Sequence, residues 1–206
     1  DVYKRQIPDE YEDRFYGVIG EGTATLQLTE GNWVGSLTHF NNLKGYWVQV
    51  DEDMDFNWNI TEELVRESRN YKTSIFKPIP DEFMYAQSTQ QAFYFVEDIS
   101  LNEQSIQVTG DQWIVSYCND NIVGSRQLTG DIIDIPVMGY DGYDNTQGFC
   151  QSGDVPQFKL YDANTGQNTE LYHQNTPEWE SNQVYMIGSL SIDEIVIPDQ
   201  FNLSSV

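Results

Sequence analysis

Cationic side chains are few in this sequence. Ten Lys and Arg face 33 Asp and Glu, a formal net charge of −23 at pH 7. A surface that acidic repels phosphate backbones and anionic lipid, which excludes nucleic acid and charged membrane as partners. Two readings of the charge stay open. One is plain solvation in salty water, where screening hides the self-repulsion. The other is attraction of cations and basic partners. Histidine is scarcer still, and neither His39 nor His173 lies in a nucleophile–base pattern. The chain has no Gly-x-Ser-x-Gly elbow, phosphate-binding glycine loop, dinucleotide fingerprint or zinc spacing. Carboxylate pairs for glycoside hydrolysis carry no information here, because so many acids always supply some pair. No apolar run approaches the roughly 18 residues of a membrane-spanning helix.

Cysteine is limited to Cys118 and Cys150, too few for a disulfide scaffold or a four-cysteine zinc site. The two are either one disulfide, as an exported protein allows, or two separate buried thiols. A bridge between them would stabilise the fold by roughly 3–4 kcal/mol on the chain-entropy model.

Aromatic residues, by contrast, are plentiful: 13 Tyr, 10 Phe and 5 Trp, enough to build packed cores. The opening Asp1–Gln6 is neither an initiator sequence nor a secretory signal. It reads like the translation of a transposon-type sequencing adapter, so it is set aside and the natural N-terminus is expected upstream. Residues 7–60 read as a small, incomplete β module. Phe15–Gly20 and the alternating Thr23–Leu28 are strands, Gly31-Asn32 turns the chain into Trp33-Val34, and Tyr46–Val50 is a strand by residue type. Leu37, Phe40 and Leu43 recur at helical spacing after Ser36 and before Lys44-Gly45, which predicts one short helical turn. Residues 61–85 read as a linker, helical in part at Thr61–Ser68 and broken by Pro78 and Pro80.

Residues 86–196 hold nine candidate strands: 92–97, 105–108, 113–118, 122–128, 133–137, 156–161, 170–173, 184–187 and 191–196. Asn, Asp and Gly clusters separate them. The prediction is an all-β fold of short antiparallel strands, with a β-sandwich-like second unit behind the smaller one.

Two oxygen-rich runs are candidate calcium sites. Asp51, Asp53, Asp55 and Asn57, with Glu62, occupy the first, third, fifth, seventh and twelfth positions of an EF-hand loop. Phe56 stands where that loop needs Gly, and a strand precedes it where a helix should. Asp141, Asp144 and Asn145 form the second run, among glycines. Such residues wrap a hard cation or simply make turns through their own backbone, and the turn is the plainer reading. The sequence offers no cofactor site other than these two for calcium.

Tryptophan invites a sugar-stacking reading. Trp33, Trp47 and Trp113 sit in apolar strand patterns and are expected in the core. Trp179, in Pro177-Glu178-Trp179-Glu180, is the one expected to be partly exposed and to stack on a ligand.

Three stretches, Gly17–Gly22, Trp33–Leu37 and Lys44–Val48, resemble a module of large secreted proteins of marine Bacteroidota-like bacteria. Gln87–Phe95, Asn121–Arg126, Asp134–Gly139 and Gly153–Asp162 resemble a second module of the same proteins. The tail, Ile197–Ser205, resembles the opening of a type IX secretion C-terminal sorting domain, without the Tyr-Pro-Asn-Pro-Phe-Asn-Pro stretch that normally follows. The resemblance implies an extracellular or outer-surface location and, through the missing sorting domain, the type IX machinery as a partner. It carries no catalytic residue. The expected function is a non-catalytic module in adhesion or assembly with other surface proteins. The alternative is a polysaccharide-binding accessory module of a secreted hydrolase.

Overall fold

The computed structural model describes residues 7, 9–41, 43–56 and 77–193. The adapter-like start, the EF-hand-like positions Asn57 and Glu62, Trp58, the segment Thr61–Ser68 expected to be helical and the tail expected to open a sorting domain lie outside them.

The chain is all-β. After a single helical turn, α1 (Asp9–Glu12), come β1 (Phe15–Gly20), β2 (Thr23–Thr29), β3 (Asn32–Gly35) and β4 (Trp47–Val50). The second unit holds β5 (Gln91–Leu101), β6 (Gln104–Ser105), β7 (Gln112–Cys118), β8 (Asn121–Gln127) and β9 (Ile133–Met138). It ends with β10 (Gln157–Asp162), β11 (Gln167–Leu171) and β12 (Val184–Ser191).

These strands make three sheets. The first runs β3-β2-β1-β4 and the second β11-β10-β7-β8. In the third, β12 lines one edge of β5, while β9 and then β6 line the other. All pairings are antiparallel except β5–β12. A parallel neighbour demands a long crossover, and here six strands supply it.

β5 explains the layering. Residues Gln91–Val96 are buried without a break, as expected of a strand covered on both faces. Ala92, Tyr94 and Val96 enter the large core with Ile114, Val123, Ile135 and Phe158, between the third and second sheets. Phe93 and Phe95 point the other way and pack with Ile19 and Ala24 of the first sheet. Period-two alternation therefore gives one strand two cores. A third cluster, built on Ile7, Phe15, Val18, Leu37 and Phe40, closes the far face of the first sheet.

Two expectations need correction. The helical turn expected at 36–43 does not form among its described residues. Leu37 N–H instead donates to Ala24 O at 3.0 Å, which draws the chain across the sheet. Leu37 and Phe40 still find the core, but Leu43 is fully exposed with φ 66°. The separate strands expected at 184–187 and 191–196 are one strand through Ser191, with Gly188 (φ 68°) absorbing a register shift against β5. Residues 194–196 of the latter are outside the described chain. Within the expected linker, Asp81–Phe83 makes a 3-10 turn that buries Phe83 against Tyr161.

The two β units are bonded together through Asp134. It sits fully buried in β9, an acid inside the apolar run Ile132-Ile133-Asp134-Ile135. Its carboxylate accepts from the backbone N–H of Ala24 (3.0 Å) and Ser36 (2.9 Å) and from Arg126 Nη2 (3.0 Å). Arg126 also donates to Gly22 O at 3.0 Å. Burial pushes the Asp134 carboxyl up, and the Arg126 charge pulls against that.

Candidate functional site

Trp47 stands at one end of β4, the edge strand of the first sheet, and pairs with Ile19 in register. The sequence places it in a core; the structure leaves it 43% exposed, because β4 has no neighbour on its outer side. The ring lines an open cleft of about 580 Å³ between the two β units. That size falls in the range of about 300–1,000 Å³ typical of ligand sites, and junctions between units are where such sites concentrate.

The first unit contributes Trp47, Gly45 and Glu21, the last from the β1–β2 turn. Glu21 is bonded to Lys44 at 2.6 Å, and that bond raises the Lys44 pKa. The floor comes from the segment before and into β5, where Gln91 is already committed. Its amide donates to Gly20 O at 2.8 Å and accepts from Gly22 N–H at 3.2 Å. Gln87 and Thr89 add polar groups along that floor.

The opposite wall is the loop after β9, with Tyr143 68% exposed and Asn145 beside it. Three supports hold this loop. The first is Asp141, whose carboxylate accepts from the Thr146 hydroxyl (2.7 Å), Thr89 N–H (3.1 Å) and Tyr143 N–H (3.3 Å). The Thr146 bond, with the two N–H groups behind it, holds the Asp141 carboxyl below the usual carboxylate range. The second is Trp179. The third is the Cys118–Cys150 disulfide, which joins the end of β7 to the end of the loop with Cα atoms 5.4 Å apart. Cys150 O in turn accepts from Tyr140 N–H at 2.9 Å.

Trp179 corrects the expectation attached to it. It is 3% exposed, and its indole N–H donates to Val137 O at 2.9 Å. Its ring lies so close over Gly139 that an added Cβ there would come within 2.3 Å of it. The ring therefore supports the loop from below and has no face free for a ligand. Trp113 is buried as expected, and half-buried Trp33 donates to Glu12 Oε1 at 3.1 Å.

The two acidic runs part company. Asp141 and Asn145 line the cleft, while Asp144 opens a 3-10 turn and gives its carbonyl to Gln147 N–H. Asp51, Asp53 and Asp55 are exposed in the segment after β4. There Arg14 pairs with Glu52 at 2.6 Å and donates to Asp53 O at 3.3 Å. Among the described residues, no three His, Cys, Asp or Glu side chains converge as a metal-ligand group.

Trp47 and Tyr143 are the residues that sequence reasoning missed. Tyr143 lay inside the turn-rich loop and carried a signal, since a large aromatic in an Asn–Asp–Gly segment has little core to enter. Trp47 carried none, because exposure at a sheet edge depends on which strand lacks a neighbour. Compared with known protein families, curated proteins and solved structures, the chain matches none.

Proposed function

We propose that this chain is a non-catalytic binding module of an exported protein, and that it holds a glycan in the cleft between its β units. The observation that carries this reading is the pair of exposed rings, Trp47 and Tyr143, on walls of the cleft contributed by different units. Flat aromatic faces stack on sugar rings, and Gln87, Thr89 and Asn145 offer the amide and hydroxyl partners that sugar hydroxyls need. The loop supports add preorganisation, which lowers the entropic cost of binding. Adhesion through a surface polysaccharide is the role such a module would serve.

Export is supported by the disulfide, since bonded cysteines persist in oxidising compartments, and by the acidic surface. The non-catalytic part is supported by the two histidines. Each meets a neighbouring threonine, His39 with Thr38 and His173 with Thr176, and neither lines the cleft.

A glycan array on the intact chain tests the proposal. Binding is expected for at least one polysaccharide class and is expected to fall at least tenfold in Trp47→Ala and in Tyr143→Ala, with each variant's melting temperature close to wild type. Binding that survives both substitutions, or silence across the array, would overturn it.

A further inference from the structure

The charge around the cleft narrows the ligand class. Glu21 stands on one wall and Asp141 on the other, and no Lys, Arg or His side chain is among the described lining residues. Lys44, next in the chain to the lining residue Gly45, is paired with Glu21. Behind the cleft lies the field of a chain with net charge −23. Taking the glycan reading of the cleft as given, we infer that its occupant is a polymer of amino sugars bearing protonated amines, held by charge complementarity as well as by stacking.

Two forces act on such a ligand that do not act on a neutral one. At long range, the protein's field raises the local concentration of cations and the rate of encounter. At short range, an ammonium group near a carboxylate gains, even in bulk water, an attraction worth about fivefold in affinity. The faces of Trp47 and Tyr143 add to this, because aromatic quadrupoles attract cations and Trp does so best. A uronic acid or sulfated polymer meets the opposite sign at every step.

Asp141 keeps its charge under the conditions where sugar amines are protonated. Its carboxylate is bonded to one hydroxyl and two N–H groups, which favour the ionised form and hold its pKa low. Those bonds fix the group in place without removing its charge. Glu21 is the adjustable partner: both it and Lys44 are exposed, so a competing ammonium can displace the lysine.

Titration calorimetry on the whole chain tests the inference, at mildly acidic pH. The probes are glucosamine, N-acetylglucosamine and glucuronate oligomers of equal length. The glucosamine oligomer is expected to bind about fivefold or more tighter than its N-acetylated counterpart at low salt. That gap is expected to close at high salt and to shrink in Glu21→Gln. The glucuronate oligomer is expected to bind more weakly than either. If the N-acetylated oligomer binds as tightly, or the glucuronate oligomer binds best, charge selection is overturned while the glycan reading stands. If the glucosamine oligomer binds equally well to Trp47→Ala, its attraction is to the acidic surface at large and the inference fails. If none of the three binds and the array is silent too, both readings fall together.

Discussion

Asp134 and Arg126 form an ion pair almost closed to water, with side chains 1% and 11% exposed. A buried pair gains little over a well-packed apolar substitute, yet losing one partner is costly because the other charge stays behind. Asp134→Ala would strand Arg126 and the N–H groups of Ala24 and Ser36. The expected loss is about 3–5 kcal/mol in a denaturant melt, with Asp134→Asn milder because it keeps the shape. A loss below about 1 kcal/mol for Asp134→Ala would mean that the units do not depend on this contact. The two tryptophans separate in the same assay. Trp179→Ala removes a buried ring and should cost about 3–5 kcal/mol. Trp47→Ala removes an edge residue and should cost under about 1 kcal/mol while abolishing ligand binding. The sequence pointed to Asp134 through its apolar neighbours, but not to its donors, of which Ala24 and Ser36 stand about a hundred residues away in the chain.

At the scale of the element, the loop from Gly139 to Cys150 is held by a carboxylate whose pKa is depressed in the fold. The sign follows from linkage. A depressed folded pKa gives a contribution fully present above the unfolded pKa of about 3.9 and lost as pH falls through the folded value. An NMR titration following the Thr89 and Tyr143 amides should therefore show one step with its midpoint below about 3.9, absent in Asp141→Asn. A midpoint at or above the unfolded value would mean that the carboxylate is not bonded as described. Most strands were legible from residue type and turn chemistry. β5 was legible as a strand but not as the wall of two cores, since a continuous apolar run does not say what covers each face. The helical spacing of Leu37, Phe40 and Leu43 misled because three residues are too few to outweigh one backbone bond to a neighbouring strand.

For the whole molecule, the Cys118–Cys150 bridge closes a loop with a sequence separation of 32 that includes β8, β9 and the cleft wall. Thiol labelling of the denatured, unreduced chain should find no free cysteine. Reduction should lower stability by about 3–4 kcal/mol and weaken glycan binding, because the cross-link both restricts the unfolded chain and anchors one wall of the cleft. Full labelling before reduction would overturn the pairing. Sequence alone determined the acidic surface, the aromatic supply and the all-β class, because charge counts and period-two patterns are local properties of the chain. Tertiary structure alone decided which tryptophan faces solvent and which lies beneath the loop. Trp47 is exposed because β4 ends a sheet, and Trp179 is buried because Gly139 leaves room for its ring. Both facts depend on what stands beside a residue in space, and neighbours in space are set by strand order and layering, which no window of sequence contains.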